Sequence, residues 1–173
     1  MKKKILACLL ILFPIFSLGL VKADTEKTKY VIASDSSFAP FVFQYSSNQY
    51  TGIDMDLIKA IAEDQGFEIE ITNPGFDAAI NAVQSGQADG IIAGMSVTDA
   101  RKETFDFSDS YYTANTILGV KESSTISSYE DLNGKTVGVK NGTASQTFLT
   151  ENQSKYGYKI KTFSDAASMY DSL

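Results

Sequence analysis

Between Tyr30 and Gly94 the chain switches repeatedly between strand-length apolar runs and helical periodicity, and this alternation constrains its fold more than any other feature. "YVIAS" (30–34) is a short buried strand, followed by the loop "DSSFAPF" with Pro40. "FVFQYSSNQYTG" is expected to form a hairpin, with Ser-Ser-Asn at the turn. "DMDLIKAIAEDQG" places Met55, Ile58, Ile61 and Ala62 on one helical face, with Asp54 as the expected N-cap and Gly66 as the stop. "FEIEIT" alternates as a strand, "NPG" breaks it, "FDAAINAVQSG" is a second amphipathic helix, and "ADGIIAG" a third strand. The order is βαβαβ, which predicts a parallel sheet covered by crossover helices.

The pattern then restarts. "TANTILGVK" (113–121) is expected to be extended, "SSYEDLNG" a capped helical turn, and "KTVGVK" a strand. "NGTASQTFLTEN" opens a helix, "YKIKTF" is a strand, and "SDAASMYDSL" begins another helix. Two α/β units are therefore expected, residues 24–112 and 113–173, with a hinge near 111–115. The second has few strands for a sheet of its own, so the sequence is expected to be a C-terminally truncated piece of a longer protein.

"MKKKILACLLILFPIFSLGLVKA" has the form of a secretory signal: three lysines, an apolar run, and small residues at Val21 and Ala23. Residues 1–23 are expected to be removed; a retained membrane anchor is the alternative. The sole cysteine, Cys8, lies inside the apolar run, where it is poorly placed for lipidation. Removal of the signal takes four of the fifteen basic residues and moves the formal charge from −6 to −10. That acidity argues against nucleic acid and anionic membranes as partners. With no histidine and no cysteine in the mature chain, Ser-His and Cys-His nucleophilic catalysis are excluded, and a transition-metal site is disfavoured. No cofactor is implied.

In open parallel sheets, ligands bind beyond the carboxyl ends of the strands, where loops and helix N-termini present free N–H groups. Asp35 and Phe38 follow the first strand, Phe76 the second, and Ser96 and Arg101 the third; Asn141, Gly142 and Thr143 follow the strand of the second unit. Arg101 is the only arginine in the chain. Its planar fork suits bidentate capture of a carboxylate, whereas the bland reading is a surface pair with Glu103 or Asp106. Asp54 and Asp56 resemble a paired-carboxylate site but open a helix whose dipole favours acids, and are read as structural. "NGT" matches a glycosylation sequon but is better explained by Asn141 or Thr143 capping a helix.

"GIDMDLIKAIA", "ADGIIAGMSVTDARKETFDFSDSYY" and "LNGKTVGVKNGTAS", in that order, resemble the extracellular solute-binding proteins of amino-acid ABC transporters, most closely their glutamine-binding branch. The resemblance runs from about residue 29 onward; Gln65 departs from it at an otherwise apolar or small position. It implies a two-lobed type II periplasmic-binding-protein fold, a monomeric binding domain, an amino-acid ligand between the lobes, and a permease, separate or fused, as partner. It implies that Arg101 holds the ligand α-carboxylate with the backbone N–H groups of Ser96 and Ala144, the latter replacing a frequent glycine. The Ser96 hydroxyl and the Gly94 carbonyl, next to Ala93, would accept from the α-ammonium. Phe38 and Phe76 would cover the aliphatic stem, and Gly142 and Thr143 would shape the opposing loop. Asp35 and Lys140 would meet the ligand side chain.

An acid and a lysine together satisfy a carboxamide, Asp35 accepting from NH2 and Lys140 donating to C=O. Glutamine or asparagine is thus the expected ligand, bound outside the cytoplasmic membrane and delivered to a permease. A sensor or receptor domain of the same fold is the alternative. An enzyme would need an acid or base facing a reacting carbon, and the rim offers only groups suited to holding a ligand.

Overall fold

The computed structural model describes residues 27–173, so the expected signal at 1–23 lies outside the described residues. Strand β1 (Lys29–Ala33) lies between two parallel neighbours, β5 (Glu68–Thr72) on one edge and β6 (Gly90–Ile91) on the other. Between β1 and β5 come a small antiparallel sheet, β2 (Ser37–Phe38), β3 (Val42–Ser46) and β4 (Gln49–Thr51), and helix α1 (Ile53–Gln65). Helix α2 (Phe76–Gln84) links β5 to β6, and the four-residue α3 (Asp99–Lys102) follows. Because the chain leaves β1 for one edge and returns to the other, the β1/β6 boundary is a topological switch point. The carboxyl ends of these two strands therefore open onto a crevice. Small side chains bring α2 close against this sheet: Ala33, Ala79 and Ala88 are buried together, with Val31, Val83 and Ile91 around them.

A second, separate sheet pairs β7 (Thr136–Lys140) in parallel with β8 (Lys159–Phe163); α4 (Ala144–Tyr156) connects them and α5 (Ala166–Asp171) follows. Its core is Leu132, Val137, Val139, Leu149 and Tyr158. Helix α4 starts as its sequence demands, with the Thr143 hydroxyl accepting from the Gln146 N–H, and ends at Gly157 in the left-handed region. The buried Tyr158 hydroxyl donates to the Leu149 carbonyl at 2.7 Å. Tyr158→Phe removes only this bond, so a loss of about 1 kcal/mol is expected. It should appear as a lower urea midpoint at unchanged slope.

Four local expectations are corrected. Asp54 does not cap α1: Gly52 occupies the N-cap position at φ 127, where a Cβ would lie 2.2 Å from the Phe41 carbonyl oxygen. Asp54 is instead fully buried. Ile61 is exposed, and the inward face of α1 is Asp54, Met55 and Ala62. The third strand shrinks to Gly90–Ile91, because the chain turns at Ala93–Gly94 to reach the site. Residues 113–121 join no ladder; only Leu118 among its apolar side chains packs on the second core.

Candidate functional site

The ends of β1, β6 and β7 and the starts of α2 and α4 meet in a cavity of about 1050 Å³. It exceeds the roughly 300–1,000 Å³ common for small-ligand pockets, because it continues from the crevice along Val137, Val139 and Leu149. Within the crevice it is lined by Asp35, Phe38, Phe76, Arg101, Lys140 and Thr143. Ala93, Gly94, Ser96 and Ala144 line it as well, so ten of the eleven expected site residues meet there. The eleventh, Gly142, reaches it through a hydrogen bond to Arg101.

Asp35, the second residue past β1, is only 2% exposed, and Lys140, the last residue of β7, only 7%. They come from opposite sheets and pair with each other at 2.5 Å. The other carboxylate oxygen accepts from the Ser36 N–H at 2.7 Å and, more weakly, the Ser37 N–H at 3.4 Å. A buried ion pair holds its place only when its remaining lone pairs are also satisfied, as these are. A second long-range bond runs from the Ala166 N–H at the start of α5 to the Ser37 hydroxyl of β2 at 3.3 Å.

Arg101 lies on α3, whose N-cap Thr98 side chain accepts from the Arg101 N–H. Its guanidinium donates to the Ser96 carbonyl at 2.7 Å and across the crevice to the Gly142 carbonyl at 2.8 Å. The Phe76 ring lies 5.6 Å from the guanidinium carbon. Burial pulls the Arg101 pKa below its ordinary value. The surface ion pair with Glu103 or Asp106 is not formed; among the described residues, the salt bridges join Lys29 to Glu70, Lys102 to Asp99 and Lys140 to Asp35. The fork thus holds two neutral carbonyls, positions from which a carboxylate, a stronger acceptor, can displace it.

Gly142 has φ 72, and a Cβ there would approach the Asp77 carboxylate to 3.0 Å, so the absent side chain lets the loop close on α2. Ala144 is the first residue of α4, and its N–H has no acceptor within the helix by position. Phe76, the first residue of α2, is 5% exposed. Phe38 is rim-exposed and stacks on Phe41, ring centroids 5.0 Å apart, while Phe41 meets Tyr112 edge-on. Sequence reasoning did not single out Phe41 or Tyr112. An aromatic one residue past Pro40 was the available signal for the first.

The family model for bacterial extracellular solute-binding proteins, family 3, matches residues 30–168. The arginine-binding extracellular protein ArtP of Bacillus subtilis (strain 168) is 37% identical over 139 residues, 80% of this chain and 54% of that protein. The chain thus spans about half the length of this relative. The substrate-binding protein AbpA of an amino acid ABC transporter from Streptococcus pneumoniae, solved with L-arginine, is 37% identical, with a TM-score of 0.78 over 84% of this chain and 62% of that one. The second substrate-binding domain of a putative amino acid ABC transporter from the same species is 90% identical over 83% of this chain and 66% of that one, at a TM-score of 0.49. The fold is that of type II periplasmic binding proteins. Family match and architecture agree, and the chain belongs to the bacterial extracellular solute-binding proteins, family 3.

Proposed function

We propose that the full-length protein binds L-glutamine or L-asparagine between two lobes, of which residues 24–112 form most of the first and 113–173 the N-terminal part of the second, with a hinge near 111–115, and delivers it unchanged to an ABC permease. The observation that carries the choice of side chain is the buried Asp35–Lys140 pair beside Arg101. A carboxamide inserted between them donates to Asp35 and accepts from Lys140, replacing the ion pair with two charge-assisted hydrogen bonds. A glutamate side chain would oppose Asp35, and an arginine side chain would oppose Lys140.

In this reading Arg101 exchanges its two carbonyl partners for the ligand carboxylate, which the N–H groups of Ser96 and Ala144 also meet. The Gly94 carbonyl and Ser96 hydroxyl accept from the α-ammonium, and Phe38 and Phe76 cover the stem. Every role is one of holding, with no step of bond making or breaking. Delivery places the protein outside the cytoplasmic membrane against its permease, after removal of residues 1–23. Among the described residues no helix is long and apolar enough to cross a membrane.

The test is to incubate the full-length protein with all twenty amino acids at equal concentration, remove the free pool, denature and identify what is released. Intact glutamine or asparagine is expected. Released arginine or histidine would overturn the specificity, and a chemically altered product would overturn the absence of catalysis.

A further inference from the structure

The loop that brings Gly142 to the crevice is tied by a side chain that lies outside it. Residues 143–146, Thr-Ala-Ser-Gln, have the form of a capping box: the N-cap hydroxyl accepts from the backbone N–H three residues on, and the side chain there returns to the N–H of the cap. The first half forms, with the Thr143 hydroxyl accepting from the Gln146 N–H at 3.2 Å. The return bond lands one residue early, on the Gly142 N–H, which donates to Gln146 Oε1 at 2.8 Å. Among the described residues, the N–H groups of Thr143 and Ala144 are left without an acceptor.

Gly142 is thus held from both sides: its N–H by Gln146, and its carbonyl by Arg101 across the crevice at 2.8 Å. At φ 72 it sits in the left-handed region, with no side chain to resist a change of conformation. A carboxylate that takes Arg101 frees the Gly142 carbonyl. The Gln146 bond then keeps the loop, and the Ala144 N–H that follows it, in place. The chemistry of this tie matters as much as its presence. A capping box admits Glu or Gln, and the positive end of a helix favours Glu. Helices α1 and α2 accordingly carry Asp54, Asp56 and Asp77 in their first turns, whereas the first turn of α4 carries no acid. A neutral amide ties the loop without adding negative charge where a carboxylate has to enter, beside an Asp77 that already lies against Gly142.

We propose that Gln146 is a positioning residue for the ligand α-carboxylate: it holds the Gly142 N–H so that the Thr143 and Ala144 N–H groups stay open to an anion, and it does so without charge. The proposal rests on the amino-acid reading of the crevice. Gln146 does not line the cavity and acts only through the loop between β7 and α4.

The experiment sets stability against affinity. Full-length wild type, Gln146→Glu and Gln146→Met are titrated calorimetrically with L-glutamine and L-arginine, which share the α-carboxylate, and are melted alongside. Gln146→Glu keeps an acceptor for the Gly142 N–H and adds a charge that the helix start favours, so its melting temperature should equal or exceed that of wild type. Its affinity for the amino acid that wild type binds should nevertheless fall about tenfold, because like charges then meet at the start of α4. A plain helix cap does not move stability and affinity in opposite directions. Unchanged affinity in Gln146→Glu would make Gln146 a cap alone and overturn the inference while leaving the amino-acid reading intact. Gln146→Met keeps the length but offers only a weak acceptor, and should weaken binding about three- to tenfold. Unchanged affinity there would overturn the inference even if Gln146→Glu failed to fold. Wild type that bound neither amino acid would overturn both readings.

Discussion

Arg101→Ala in the full-length protein is expected to lower affinity for its amino acid by about a hundredfold or more, while the melting temperature falls by no more than about 4 °C. Two parallel N–H···O bonds to a carboxylate contribute on the order of 1.5–3 kcal/mol each, and alanine removes both together with the counter-charge. Arg101→Lys keeps the charge but loses one bond and the planar fit, so a loss of roughly ten- to hundredfold is expected. The small effect on stability follows from the partners the guanidinium has in the structure. The Ser96 and Gly142 carbonyls lie at the crevice, where water can replace the lost donors. Calorimetric titration and thermal melting of the same samples check both halves; unchanged affinity in Arg101→Ala would remove Arg101 from the site.

Asp35→Asn should reduce the preference for glutamine over glutamate by about tenfold or more. Like charges about 4 Å apart oppose each other by about 4 kcal/mol at an effective dielectric of 20, so a glutamate side chain meeting Asp35 is strongly disfavoured in wild type. The substitution removes that repulsion and also leaves Lys140 without its carboxylate partner, a partner that glutamate can supply. Glutamine loses a charged acceptor for its NH2 at the same time, so the two affinities move toward each other. Titration with both ligands reads the ratio, and an unchanged ratio would place Asp35 away from the ligand side chain.

The strand ends and helix starts that build the crevice were legible because each depends on local sequence. The apolar run at 30–34 with Asp35 after it, the Thr143 cap and the Gly66 stop each follow from a few adjacent residues. What was not legible depends on partners far along the chain. An acid at the start of a helical pattern reads as a cap, and nothing near Asp54 announces the bonds it accepts from Gly94 and Tyr111, 40 and 57 residues away. The Asp35–Lys140 pair spans 105 residues: each position was predicted at a strand end, but their bond to one another was not. Residues 113–121 have strand-like composition without a ladder, because pairing depends on a neighbouring edge rather than on propensity alone.

The specificity proposed here departs from what the names of several relatives state, since ArtP is named as arginine-binding and AbpA was solved with L-arginine. Calorimetric titration of the full-length wild-type protein with L-glutamine, L-asparagine, L-glutamate and L-arginine at neutral pH tests the account most directly. Glutamine or asparagine is expected to bind with a dissociation constant near or below micromolar, about −8 kcal/mol or better. Glutamate and arginine should each bind at least about tenfold more weakly. Arginine binding as tightly as either carboxamide would contradict the role assigned to Lys140 and, with it, the proposed ligand.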